Sequence, residues 1–298
     1  MSSINTITII AVISFLTSAC QTEDSANTIH KDTSIVTDSS SVKKIEPFSF
    51  ITPKGINILT RFKPPKGFER TKVNNDSFGS YLRQVPLKPH GAIVNYYNGD
   101  KKTNNGVYAA VMDLSIGTKN LHQCADAVMR LKADYHYSKQ EYDEIHFNLT
   151  NGFNMEYTEW KEGKRLNVVG NNTNWYDGSS PSTDKESYWK YLEMVFSYAG
   201  TLSLSKELQS VEIDEMKIGD VFIQGGSPGH AVIVVDMAEN KTTGQKVFML
   251  AQSYMPAQET QILVNPRYTE LGVWFSGDFD NTLITPEWNF RKGDLKRF

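Results

Sequence analysis

Long apolar runs are scarce in this chain. The one strongly apolar stretch near its start, residues 7–16, falls short of the about 20 apolar residues that a bilayer-crossing helix needs. Cysteine is nearly missing: two in 298 residues, too few for a disulfide framework. There is no basic tract, and the net charge is −3, which argues against nucleic acid as a partner. No Walker loop, dinucleotide fingerprint or HExxH occurs, so no nucleotide cofactor and no motif-borne metal is expected. No internal repeat is visible. The apolar, charged and aromatic content is that of a globular protein long enough to bury a sizeable core.

The apolar stretch 7–16 instead reads as the h-region of a signal peptide. It runs into "LTSAC", small residues followed by a cysteine, which resembles a bacterial lipobox. On that reading residues 1–19 are removed and Cys20 becomes the lipidated first residue. The following "QTEDSANTIHKDTSIVTDSSSVKK" is too polar to offset its ordering entropy by burial. Residues 20–46 are therefore expected to be a flexible tether. Glu23 and Asp24 resemble surface-export signals of envelope lipoproteins. The expected location is outside the cytoplasm, anchored through Cys20 to the envelope, with the outer membrane favoured. Cys124 is then left without a disulfide partner.

A single domain is expected over 47–298. "HGAIVNYYNGDKKTNNGVYAAVMDLSIG" suggests two strands about a polar loop. In "TKNLHQCADAVMRLKADYHYS" the period changes: Leu121, Cys124, Val128, Leu131 and Tyr135 mark one face of a helix, with Asn120 or Thr118 as its cap. Alternation returns at Ile145, Phe147 and Leu149. A second helix follows, with Tyr188, Tyr191, Leu192, Val195, Phe196 and Ala199 as its stripe. From Ile213 onward the pattern is of strands: "MKIGDVFIQGG", "GHAVIVVDMA", "KVFMLAQSYM" and "TQILVN". This order predicts an α+β fold with an antiparallel sheet packed with helices.

Three residues carry the chemistry. Cys124 falls in the first turn of its helix, where free N–H groups and the helix dipole favour the reactive thiolate. His230 follows the turn "GGSPG" and opens an apolar strand; an imidazole beside a thiol can take its proton. If the two strands around "ENKTTGQ" form a hairpin, His230 falls opposite Gln252 or Ser253, and Gln252 is the expected third group, its amide holding a ring nitrogen. Asp236 has the same strand parity as His230 but lies too far along to orient it. His122 and Cys124, two apart on a helix, do not face one another as a metal pair would. Trp160, Trp175, Tyr176, Trp189, Trp274 and Trp288 could line a sugar-binding cleft, although aromatics more often fill the core.

Cysteine at a helix start, then "GDVFIQGGSPGHAVIVV" with histidine on a strand, then a polar residue on the next strand: this order resembles the papain-like superfamily, notably its NlpC/P60 and CHAP branches. The resemblance implies a papain-like core with insertions, the helix after Glu186 among them. "LHQCADAVMRLKADY", "FSYAGTLSL", "GDVFIQGGSPGHAVIVVDMA", "FMLAQSYMPAQE" and "TPEWNF…LKRF" resemble the bacterial lipoproteins grouped as domain of unknown function 4846. That family implies an envelope lipoprotein but brings no activity. The residues themselves suggest a thiol hydrolase or acyltransferase acting on an amide such as a peptidoglycan peptide. The alternative is a non-catalytic envelope module that binds peptide or glycan.

Overall fold

The computed structural model describes residues 49–298, which belong to one compact unit. Cys20, the expected leader and most of the expected tether lie outside the described residues. The fold is α+β. A long run of apolar residues, 231–235, makes a strand that must be covered on both faces, and that strand is the spine of the molecule. It spans His230–Glu239 and is buried along nearly all its length.

The main sheet is built outward from it in antiparallel pairs. In order across the sheet lie Tyr108–Val111, Gln261–Leu263, Lys246–Gln252, His230–Glu239, Val221–Gln224, Leu295–Arg297 and Gln209–Ser210. Short pieces at Glu69–Arg70 and Phe275–Ser276 extend the ladder at the far end of the two longest strands. One face packs against the helix Cys124–Ser138 and most of the core, including Ala231, Ile233, Val235, Leu131, Tyr191 and Trp274. The other face packs a smaller core of Val232, Val234, Phe248, Phe222 and Phe290, roofed by the hairpin Thr282–Ile284 with Asn289–Arg291.

Two expectations from the sequence are corrected. The stretch around Ile93–Lys101 forms only isolated bridges, Asn95 with Lys101 and Tyr96 with Gln258, and the strand is limited to Tyr108–Val111. The ladder is pre-empted: the Val94 N–H donates to the Tyr108 hydroxyl and the Asn95 N–H to the Glu259 carboxylate. The hairpin register also differs. Met249 pairs with Asp236 but Leu250 pairs with Val234, so the pairing skips Val235. Such a bulge re-aims every side chain beyond it. Asp236 therefore lies on the opposite face from His230, where it accepts from Arg83 at 2.6 Å and Arg70 at 2.7 Å.

Candidate active site

Cys124 opens the helix Cys124–Ser138. The expected caps are replaced. Gln123 is the N-cap residue, and its N–H donates to the carboxylate of Asp126 at 2.9 Å. The Asn120 side-chain oxygen Oδ1 instead accepts from the Ala257 N–H at 2.7 Å, which ties the loop before the helix to the loop after Gln252. The thiol is buried. The backbone N–H groups of Ala125, Ala231 and Cys124 itself favour its anion. They do not prevail. Burial, and then the charge of Asp126, push the thiol up to about 11. The expectation of a thiolate favoured by the helix start is thus corrected: the helix end is present, but the sulfur is too dry and Asp126 too near.

Cys124 stands at the start of its helix and His230 at the start of its strand. Both line one cavity of about 690 Å³, together with Asp126, Phe196, Thr201, Tyr254, Trp288 and the loop 226–229. His230 is not at an exposed rim. It is buried under the rings of Tyr254, Trp288 and Phe290, with centroids 4.8, 5.5 and 5.9 Å away. Burial lowers its pKa to about 4, with Lys102 adding to the effect and the Gln252 bond opposing it. The resting pair at neutral pH is therefore thiol and neutral imidazole.

Gln252 ends its strand, and its Oε1 lies 2.8 Å from His230 Nε2. The contact is diagonal rather than directly opposite: the ladder pairs Ala251 with Ile233, which sets Gln252 beside Val232, one step along the same face. A long side chain covers that diagonal. Ser253 is turned away, donating to the carbonyls of His122 and Gln258.

The turn before His230 fits only because it is glycine. A Cβ on Gly229 would lie 2.5 Å from both the Gly226 carbonyl and Thr201 Oγ1, and one on Gly225 would lie 2.0 Å from Ser205 Oγ. Thr201 and Ser205 belong to the helix Thr201–Glu207, which follows the helix Lys185–Tyr198. The long segment between Cys124 and His230 thus supplies a wall of the cavity through Phe196, Ala199, Gly200, Thr201 and Leu202.

Other sequence candidates are placed elsewhere. Trp160 and Trp274 are core residues. Trp175 packs on Phe153 and Trp189 lies beneath Arg130. Of the six aromatics that could line a sugar-binding cleft, Trp288 alone lines this cavity. Asp220, just before the strand Val221–Gln224, is held by Arg297. His122 is buried, its Nδ1 3.4 Å from the Gln258 carbonyl. Among the described residues there is no group of three or more His, Cys, Asp or Glu arranged to hold a metal ion, and no helix long and apolar enough to cross a membrane. Sequence reasoning missed Tyr254, Thr201, Glu287 and Lys102. Tyr254 had a signal, two residues beyond Gln252 on the same strand parity; the other three come from distant loops and helices.

The family model described as Domain of unknown function (4846) matches residues 58–297. No curated protein and no solved structure matches the chain at a significant level.

Proposed function

We propose that this chain, which belongs to the family of domain of unknown function 4846, is a papain-like thiol hydrolase or acyltransferase, exported and anchored to the cell envelope through a lipid on Cys20. The observation that carries the reading is that Cys124 and His230 line one cavity, with the Nε2 of that histidine 2.8 Å from the Gln252 amide oxygen. A thiol, a base and a group that orients the base are the parts that acyl transfer through a covalent intermediate needs.

In this mechanism the Cys124 sulfur adds to the acyl carbon of an amide while its proton passes to the free nitrogen of His230. The carbonyl electrons move onto oxygen. The Cys124 backbone N–H at the helix start is a donor for that charge. Collapse of the adduct breaks the C–N bond, and His230 returns the proton to the leaving amine. Water or an acceptor amine then attacks the thioester, with His230 again as base, and the thiol is restored. Because the resting pair is neutral, proton transfer accompanies attack rather than preceding it. An envelope location makes the peptide amides of peptidoglycan the favoured substrate.

A second reading is supported by the same site. A thiol raised to about 11 in one cavity with an imidazole lowered to about 4 also suits a cleft that binds peptide or glycan without chemistry. A peptidyl acyloxymethyl ketone separates the two. The hydrolase reading expects an adduct on Cys124 by intact-mass measurement, none in Cys124→Ala, and capture slowed about 100-fold or more in His230→Ala, the usual contribution of a positioned base. Capture at an unchanged rate in His230→Ala would leave the binding module.

A further inference from the structure

Behind Gln252 the hydrogen-bonded chain continues inward. Gln252 Nε2 lies 2.6 Å from Glu287 Oε2. The same oxygen lies 2.7 Å from the ammonium of Lys102, whose side chain is 3% exposed. Lys102 comes from the loop before the Tyr108–Val111 strand, and Glu287 from the turn of the roofing hairpin, next to Trp288. Neither residue lines the cavity.

We infer that Glu287 and Lys102 are positioning residues that fix which nitrogen of His230 carries its proton, by locking the orientation of the Gln252 amide. A primary amide has one end that donates and one that accepts, and at the shape level the two ends are interchangeable. A carboxylate only accepts. The end of Gln252 that faces Glu287 must therefore be the NH₂, and the end that faces His230 must be the oxygen. A carbonyl oxygen only accepts as well, so His230 Nε2 carries the hydrogen. A neutral imidazole has a single N–H, so Nδ1 is left with its lone pair. The Lys102 ammonium, 2.7 Å from Glu287 Oε2, holds the carboxylate in place against the Gln252 amide. The rings packed around it, Phe290 stacked, Trp288 tilted and Tyr254 edge-on, hold the imidazole plane while this selection is made. With the lock removed, the amide can turn its NH₂ toward Nε2. The hydrogen then moves to Nδ1, and the ring loses its basic nitrogen on the side away from Gln252.

The consequence for catalysis rests on the thiol hydrolase reading; the tautomer does not, and the two are read separately. In ¹⁵N-histidine-labelled protein, with the His230 signals assigned from His230→Gln, a long-range ¹H–¹⁵N spectrum at neutral pH should show a pyrrole-type shift at Nε2 and a pyridine-type shift at Nδ1. In Glu287→Gln, whose amide can present either end to Gln252, both nitrogens should move to intermediate shifts, and Lys102→Met should move them in the same direction. Lys102→Arg should restore the wild-type pattern. A hydrogen on Nδ1 in the wild-type protein would overturn the inference with no variant needed, as would an unchanged tautomer in folded Glu287→Gln. If the tautomer changes while covalent capture at Cys124 keeps its wild-type rate, the hydrolase reading fails and the positioning role stands.

Discussion

Around Cys124, three backbone N–H groups pull toward the thiolate while burial and Asp126 push against it, and the push wins. Asp126 is itself buried, and its carboxyl is raised to about 8, so its charge develops in the range where the thiol would begin to ionise. Asp126→Asn keeps an acceptor for the Gln123 N–H and removes that charge. Iodoacetamide alkylation of Cys124 near pH 9 should then speed up by roughly 2- to 10-fold, since one pKa unit is a tenfold change in thiolate below its midpoint. In the wild-type protein the rate should keep climbing above pH 8, with no plateau below neutrality. A plateau near pH 5 would mean a preformed ion pair.

The same buried groups set how stability follows pH. His122 is lowered to about 3 and His230 to about 4, both chiefly by burial. Between pH 4 and the ordinary histidine value of 6.5, the unfolded chain holds protons on them that the folded chain refuses, so their contribution is lost as pH falls through that window. Asp126 acts in the opposite sense: folded, it keeps a proton that the unfolded chain releases above 3.8, and that contribution is lost as pH rises toward 8. Of these three groups, the two histidines outweigh the carboxyl below 6.5 and only the carboxyl contributes above it. Thermal midpoints should therefore peak near pH 6.5. Asp126→Asn should flatten the decline between 6.5 and 8; a decline of unchanged slope would remove Asp126 from the account.

At the scale of elements, the loop 225–229 and the bulge at Val235 determine what the spine strand presents. Gly229→Ala would press a methyl group against the Gly226 carbonyl and Thr201 Oγ1, each 2.5 Å from the new carbon. Overpacking of that kind costs about 1–3 kcal/mol. Because the loop carries His230, capture by the electrophilic probe should fall by more than the loss of folded protein explains, which parallel melting and labelling would show. Beyond the bulge, Asp236 is fully buried between Arg70 and Arg83. Removing it strands two guanidinium groups, and Asp236→Ala should cost about 3–5 kcal/mol in a denaturant titration, with the Cys124 pocket unaffected in whatever remains folded. A change under about 1 kcal/mol would mean that the arginines find other partners.

On the scale of the molecule, the sheet is a partition. The cysteine helix lies on one of its faces, the hairpin bearing Glu287 and Trp288 covers the other, and the cavity opens at the end of the spine strand where both can reach it. The chain ahead of residue 49 carries the remaining proposal. If Cys20 is the mature first residue, the N-terminal peptide from a bacterial expression host should begin there and carry a diacylglyceryl mass. An unmodified Cys20, or cleavage at another position, overturns the lipid anchor.

Periodicity alone located the helix of Cys124, the helix rich in tyrosine and the meander of late strands, because amphipathic spacing and apolar runs are local properties that burial then satisfies. Residue chemistry alone singled out Cys124, His230 and Gln252 as candidates, since a thiol, an imidazole and an amide on otherwise apolar elements have few local reasons to be there. Three things were decided only by the tertiary structure. The bulge that moves Asp236 to the far face is one extra residue in a continuous apolar run, and nothing in the run's composition marks it. The dryness that leaves the thiol and imidazole neutral comes from walls contributed by Phe196, Tyr254 and Trp288, far apart in sequence. And the Lys102–Glu287 pair behind Gln252 is 185 residues apart, a contact whose cost in chain entropy is offset only once the whole sheet and its roof are in place.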